Sequence, residues 1–481
     1  MLVKIESRAS KARRNPLEPL EELRTQLGDD CVVDRPQDMA PFLTDWRGRF
    51  TGNARAVVLP RSTQQVAQAL AWSHRHRVPV VPQGGNTGLA GGATPDSSAS
   101  AIVLCTRRMN RIREIDVAND SMTVEAGCVL QQVQEAAAAQ ERLFPLSLAA
   151  QGTCTIGGNL ASNAGGTQVL RYGNTRELTL GLEVVLADGR VWNGLRGLRK
   201  DNSGYDLKQV FLGSEGTLGV ITAATLRLFP RPKAQVVMLV ALTSVEHAIH
   251  LLQRARAAAG PGLTAFELMS RDCIESVLRV LPGQRPPFAQ AHPWLALLEV
   301  VDHEGEANAL RHCEQLVAGA IEAGEAIDAV VSQSVADGAA FWRLRESIPM
   351  AQAKSGGNVK HDISLPLKSM PQFVRETQAA LLAFCHDLQP MVFGHLGDGN
   401  LHFNVGGRDS AQTAFDREAR INDIVFDAVV QHGGSISAEH GLGQLRRDLA
   451  QRVKDPLELE MMRRIKLALD PQGLMNPGKV I

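Results

Sequence analysis

The segment Phe393-Gly394-His395-Leu396-Gly397-Asp398-Gly399-Asn400-Leu401-His402-Phe403-Asn404 carries a histidine on each side of an Asp-Gly pair. Asp-Gly flanked by apolar residues is the strongest short-range hairpin signal. With Asp398 and Gly399 as the central turn residues, Gly397 pairs with Asn400, Leu396 with Leu401, and His395 stands opposite His402. Opposite residues share a face with Cβ atoms ~5 Å apart, close enough for two imidazoles to grip one ion, and Asn404 projects from the same face. On an arbitrary hairpin two such histidines simply pack. Here a downstream loop, Ser435-Ile436-Ser437-Ala438-Glu439-His440-Gly441-Leu442-Gly443, adds a carboxylate and another imidazole. Two histidines and one carboxylate make a common site for zinc or another divalent metal, with positions left open for substrate.

Three glycine-rich blocks lie upstream: Val81-Pro82-Gln83-Gly84-Gly85-Asn86-Thr87-Gly88-Leu89-Ala90-Gly91-Gly92, then Gly152 to Gly166, then Phe211 to Ile221. The first follows a strand directly. Its glycines let the backbone take positive φ and turn N–H groups inward, forming a nest for phosphate oxygens. One such loop is as readily a flexible surface connection. Three in one half of a chain point to a large phosphate-bearing cofactor. Neither G-x-G-x-x-G nor G-x-x-x-x-G-K-[ST] occurs in the first block, which argues against nicotinamide and P-loop chemistry.

Together the blocks resemble the FAD-binding domain of the vanillyl-alcohol oxidase and p-cresol methylhydroxylase flavoprotein superfamily, and the likeness runs to the ending Asp470-Pro471-Gln472-Gly473-Leu474-Met475-Asn476-Pro477-Gly478-Lys479. The fold this implies is α+β: a two-subdomain FAD-binding domain, an α+β substrate (cap) domain, and a C-terminal helical segment returning to the flavin. The resemblance implies that Gly84, Gly85, Asn86, Thr87 and Gly88 cradle the pyrophosphate, with Pro82 leading into them. Gly152, Thr153, Gly157, Gly158, Asn163 and Gly166 line the flavin, Gly216, Gly219 and Ile221 sit near the adenine end, and Asn476 completes the cofactor set. Members that bind flavin covalently through the first loop carry a histidine there. This chain has Asn86, so FAD is expected to be non-covalent.

The histidine motifs resemble the D-2-hydroxyglutarate dehydrogenase branch of that superfamily, which also contains D-lactate dehydrogenases. That likeness implies His395, His402 and Glu439 as metal ligands, with zinc the expected ion, and His440 as the general base. It also implies Asn404, Arg345 and Lys360 as substrate contacts, the latter two on carboxylates. Four residues after the arginine the branch has a substrate-holding threonine. This chain has Pro349, which offers neither a hydroxyl nor an N–H, and so weakens the case for binding a second carboxylate. The expected reaction is oxidation of an (R)-2-hydroxy acid, D-2-hydroxyglutarate first, by hydride transfer to flavin N5. D-lactate or another monocarboxylate is the alternative, and a metal-dependent hydrolase a remote one. The reduced flavin then needs an electron-accepting flavoprotein or quinone-linked carrier, and the family suggests a homodimer.

The bulk properties agree. Across 481 residues, 51 Lys and Arg balance 51 Asp and Glu, which argues against nucleic acid as the main partner. Seven scattered cysteines show no C-x-x-C spacing, favouring a reducing compartment. The basic opening MLVKIESRASKARRNP has no apolar run behind it, and no stretch approaches the ~18 apolar residues of a spanning helix. A soluble, cytoplasmic protein is expected.

The elements that must hold these motifs alternate strand and helix. A lead-in over residues 1–50 precedes strand Ala56 to Leu59. A helix opens after Ser62, with Gln65 completing a capping box, and strand Val78 to Val81 delivers the first glycine block. Strands Ala101 to Cys105, Met122 to Glu125, Leu182 to Leu186 and Val220 to Phe229, with a helix over 130–140, fill out an FAD-binding domain of 51–232. A boundary is expected at Pro230-Arg231-Pro232. Beyond it, strands Gln235 to Leu242 and Trp294 to Val301 each precede an amphipathic helix, Ser244 to Ala259 and Glu304 to Ala323. They mark a substrate/cap domain of 233–432 that contains the hairpin. The final segment, 433–481, is expected to complete the active site.

Overall fold

The computed structural model describes residues 18–481; the basic opening segment and Leu17 lie outside the described residues. Two sheets form the N-terminal half. In the first, Ala56–Val58 and Val80–Gln83 both run parallel to Ile102–Cys105 between them, and Val32–Val33 pairs antiparallel at the edge. The crossover is the helix Thr63–His76, whose buried face of Val66, Ala69, Leu70 and Trp72 packs on the sheet core. The Ser62 hydroxyl accepts from Gln65 N–H as expected, but the Gln65 side chain reaches the N–H of Arg61 rather than that of Ser62. The second sheet is antiparallel, ordered Ile112–Asp116, Ser121–Glu125, Val220–Arg227, Thr179–Val185, Val191–Gly194. Val220 to Phe229 is therefore not one strand: Phe229–Pro230 leaves this sheet to pair with Arg142–Leu143.

The C-terminal half is built on a seven-stranded antiparallel sheet in the order Asp328–Val331, Ala234–Leu242, Trp294–Asp302, Leu263–Ser270, Leu388–Gly394, Asn400–Gly407, Asp362–Ser364. Strict alternation gives it two apolar faces. Val236, Met238, Val240 and Leu242 join one core with the helices Val245–Ala259, Glu306–Glu322, Met370–Phe384 and Glu418–Gln431. Val237, Leu239 and Ala241 join the other with Arg271–Val280, Val335–Glu346 and Ile348–Lys354. The last helix, Pro456–Leu469, returns the chain to the N-terminal half. Its Lys466 Nζ donates to the carbonyls of Thr217 and Met475, and Met475 bridges in parallel to Val80. No helix among the described residues is long and apolar enough to cross a membrane, and all seven cysteines are free thiols.

Candidate active site

The expected hairpin forms with a different register. Phe393, not His395, lies opposite His402, and a 3-10 turn over Leu396–Asp398 replaces a two-residue turn. A one-residue slip would send His395 to the far face; a two-residue shift keeps it on the same one. The histidines therefore still meet, with ring centroids 5.5 Å apart. The longer turn lets Asp398 cap it by accepting from Asn400 N–H, while Gly399 takes the left-handed φ of 88°.

Four adjacent strands contribute to this face. Glu267 comes from Leu263–Ser270, His395 from the end of Leu388–Gly394, His402 and Asn404 from Asn400–Gly407, and Asp362 from the edge strand, opposite His402. Across the edge, Asp362 accepts from the backbone N–H groups of Glu439 and His440 at 2.9 and 3.0 Å. Those bonds fold the Ser435 to Gly443 loop over the histidines. One donor atom each of His395, His402 and Glu439 then lies within 4.8 Å of the other two, a set that fits a divalent cation.

Two buried carboxylates orient the rings, and sequence reasoning gave a role to neither. His395 Nδ1 donates to Glu267 Oε1 at 2.6 Å, which leaves Nε2 facing Glu439 Oε2 at 3.8 Å. His402 Nδ1 and His440 Nδ1 lie 3.7 and 3.3 Å from Asp362. Such carboxylate–histidine pairs fix the tautomer of a metal-binding ring. Burial alone would lower the His395 pKa, but Glu267 and Glu439 lift it to about 9. His402 is pushed down by burial, so its ring is neutral. Burial also opposes ionisation of Asp362, but His440, His402 and the two N–H groups hold its carboxyl below the usual carboxylate range. The signal for Glu267 was a lone acid in the apolar run Ala265-Phe266-Glu267-Leu268-Met269.

The expected substrate contacts fall around this core. Arg345 is buried, its Nε donating to Glu267 Oε2 at 2.7 Å and its guanidinium 4.9 Å from the Phe393 ring centroid. Its two Nη groups have no hydrogen-bond partner among the described residues and remain for a ligand. Asn404 is buried beside His402, but Gln352 Oε1 and the N–H of His361 already occupy its amide. Lys360 lines a small pocket next to His440. Pro349 sits exposed in the first turn of Ile348–Lys354.

The glycine blocks converge on a cleft lined by Pro82, Gly84, Gly85, Asn86, Thr87 and Gly88 from the first, Gly157 and Gly158 from the second, and Gly216, Gly219 and Ile221 from the third. The loops touch so closely that a Cβ on Gly84 would stand 2.4 Å from Thr155 Oγ1, and one on Gly85 2.4 Å from Thr153 O. Thr155 Oγ1 is itself buried on the cleft wall without a hydrogen-bond partner among the described residues. A glycine-lined cleft with an unsatisfied hydroxyl fits a phosphate-bearing ligand. Five expected cofactor residues lie off the lining. Gly152 and Thr153 are exposed, Asn163 caps Ile156–Ser162 with its side chain on Arg176 N–H, Gly166 donates its N–H to Glu439 Oε1, and Asn476 buttresses the wall through the carbonyls of Gly92 and Glu215. His440 lines both the cleft and the Lys360 pocket, so the two spaces adjoin at this residue. Glu215, also unassigned from sequence, locks that junction by accepting from Leu442 and Gly443 N–H.

Comparison with known proteins agrees with this architecture. The family described as "FAD linked oxidases, C-terminal domain" matches residues 231–480, and "FAD binding domain" matches residues 54–194. The chain belongs to this FAD-linked oxidase family and is an FAD-dependent oxidoreductase. Within it, the chain is 39% identical to a D-2-hydroxyglutarate dehydrogenase of Xanthomonas citri, over 92% of this chain and 93% of the relative. It is 35% identical to the mitochondrial D-2-hydroxyglutarate dehydrogenase of Arabidopsis thaliana, over 99% and 84%. A Schizosaccharomyces pombe mitochondrial protein provisionally named as a D-lactate dehydrogenase is 36% identical over 93% and 85%. Among solved structures, p-cresol methylhydroxylase superposes with a TM-score of 0.74 at 17% identity, covering 96% of each chain. The expected fold is thus the observed one, and the hydrolase alternative has no remaining support.

Proposed function

We propose that the protein oxidises an (R)-2-hydroxy acid, D-2-hydroxyglutarate foremost, to its 2-oxo acid, with a divalent ion held by His395, His402 and Glu439. The observation that carries this reading is the position of His440 between the cofactor cleft and the Lys360 pocket. A substrate there would touch the base beside the cleft that would hold the flavin. Asp362 lies 3.3 Å from His440 Nδ1, leaving Nε2 to take the C2 hydroxyl proton, and imidazole suits that task near neutral pH. Arg345, fixed by Glu267 and Phe393, offers its Nη groups to a carboxylate in two-pronged geometry. The closely packed loops around Gly84 and Gly85 hold FAD without a covalent link, because Asn86 stands where a histidine would be needed. When bound, FAD supplies the two-electron acceptor. When bound, the divalent ion, zinc by the donor set, supplies Lewis-acid polarisation of the hydroxyl.

Electrons then leave to a flavoprotein or quinone-linked carrier. Seven free thiols favour a reducing compartment such as the cytoplasm. The reading is tested by steady-state turnover with an artificial electron acceptor. The (R) forms of 2-hydroxyglutarate, malate and lactate are expected to be oxidised and the (S) forms to be inert. Equal rates with both enantiomers, or none with either, would remove it.

A further inference from the structure

Residues Thr44 to Thr51 form a tight loop closed by a bridge between its ends. Asp45, buried beneath it, accepts from the N–H of Phe50 at 2.8 Å and of Arg47 at 3.4 Å. Asn86 Nδ2 donates to Thr44 O at 2.9 Å and pins the loop to the cofactor cleft. Trp46 and Gly48 face solvent, but Arg47 between them is half-buried and turns into the pocket beside His440. That pocket is lined by three cations, Arg47, Lys360 and Arg446, with Asp362 as its one acid.

The cations differ in how they are satisfied. Arg446 donates to Lys360 O and lies over the Phe426 ring at 4.3 Å. The Arg47 guanidinium and Lys360 Nζ have no hydrogen bond or ion pair among the described residues. Asp362 attracts Arg47 only at a distance and pairs with neither, because Asn400, two backbone N–H groups and two imidazoles already surround its carboxylate. Burial and mutual repulsion lower the Lys360 pKa, and burial with Arg49 lowers that of Arg47. Two partly desolvated, unpaired cations facing one space are costly unless an anion joins them.

We infer that Arg47 joins Lys360 in a carboxylate subsite, so that the substrate is a dicarboxylic (R)-2-hydroxy acid with its distal carboxylate seated between them. This rests on the function proposed above and specifies its substrate class. The subsite lies at the Asp362 end of the row of polar side chains, whereas Arg345 stands at the Glu267 end. Each end can therefore take one carboxylate, with His440 beside the carbon between. Pro349, exposed on its helix, then takes nothing from diacid binding, because the second cation comes from the 44–51 loop.

The test compares wild type, Arg47→Met and Arg47→Lys, all with full flavin absorbance. Each is assayed with (R)-2-hydroxyglutarate and (R)-2-hydroxybutyrate, and titrated with glutarate and with butyrate by perturbation of the flavin spectrum. Wild type is expected to prefer the diacid. Arg47→Met should lower the diacid-to-monoacid ratio of kcat/KM by roughly 10- to 100-fold, the loss of one charged hydrogen-bond donor, mainly through KM, and Arg47→Lys should recover part of it. A purely structural role would move both substrates alike. An unchanged ratio in Arg47→Met, or no preference in wild type, overturns the subsite. Glutarate that binds wild type tightly and Arg47→Met weakly, in a protein that oxidises neither acid, would uphold the subsite and overturn the proposed function.

Discussion

Each imidazole at the centre of the site turns its Nδ1 toward a buried carboxylate: His395 to Glu267, His402 and His440 to Asp362. Removing one such partner should act on the ring it aims. Glu267→Gln is expected to weaken metal binding by roughly 10- to 100-fold with flavin content unchanged, read by metal analysis beside the visible spectrum. Unaltered metal affinity would mean that Glu267 serves Arg345 alone. His440→Asn should keep both metal and flavin while kcat falls by about 10² to 10⁴. Glu215 makes a prediction about pH. Burial raises its pKa from 4.5 to about 7, against the lowering effect of the Leu442 and Gly443 N–H groups. A carboxyl with a raised folded-state pKa stabilises the fold fully below the unfolded value. It loses that contribution as pH rises through the folded one, here between about 4.5 and 7, and the loss is at most about 3 kcal/mol. Relative to wild type, Glu215→Gln should therefore gain in Tm on going from pH 5 to pH 8. A pH-independent difference would show that Glu215 is ionised throughout.

Elements decide which residues the chain can bring together. The first and second glycine blocks lie close enough that Gly85→Ala would push a Cβ against Thr153 O. Such overpacking costs roughly 1–3 kcal/mol, and the variant should be isolated with a lower flavin-to-protein ratio and Tm. Flavin content like wild type would mean that the loops separate freely. The same scale shows what was legible in the sequence. Asp398-Gly399 announced a hairpin, and period-2 alternation placed His395, His402 and Asn404 on one face. The register differs by two residues from the one Asp-Gly implies, because Asp398 capping a 3-10 turn competes with a two-residue loop and local sequence does not separate them. Glu267 and Asp362 went unassigned for a different reason. Their roles depend on strand neighbours more than 30 residues away, which no local pattern encodes. Arg47 was hidden for the same reason, on a loop that read as lead-in.

At the scale of the molecule, the cofactor cleft belongs to the N-terminal sheets, and the proposed metal donors belong to the seven-stranded sheet and the loop after it. The two halves meet where Gly166 holds Glu439 and Glu215 holds Leu442 and Gly443. Because the cleft lining is supplied by the glycine blocks, dialysis against a chelator should abolish turnover yet leave the flavin band, and added zinc or manganese should restore activity. Full activity after complete metal removal would leave the histidine pair a structural role only. The central claim, that this site oxidises an (R)-2-hydroxy acid at a flavin, is tested most directly by an anaerobic visible spectrum of the metal-replete protein. Adding (R)-2-hydroxyglutarate should bleach the flavin band within the mixing time while the (S) form leaves it intact. A flavin band untouched by (R)-2-hydroxyglutarate, (R)-malate and (R)-lactate alike would contradict the account.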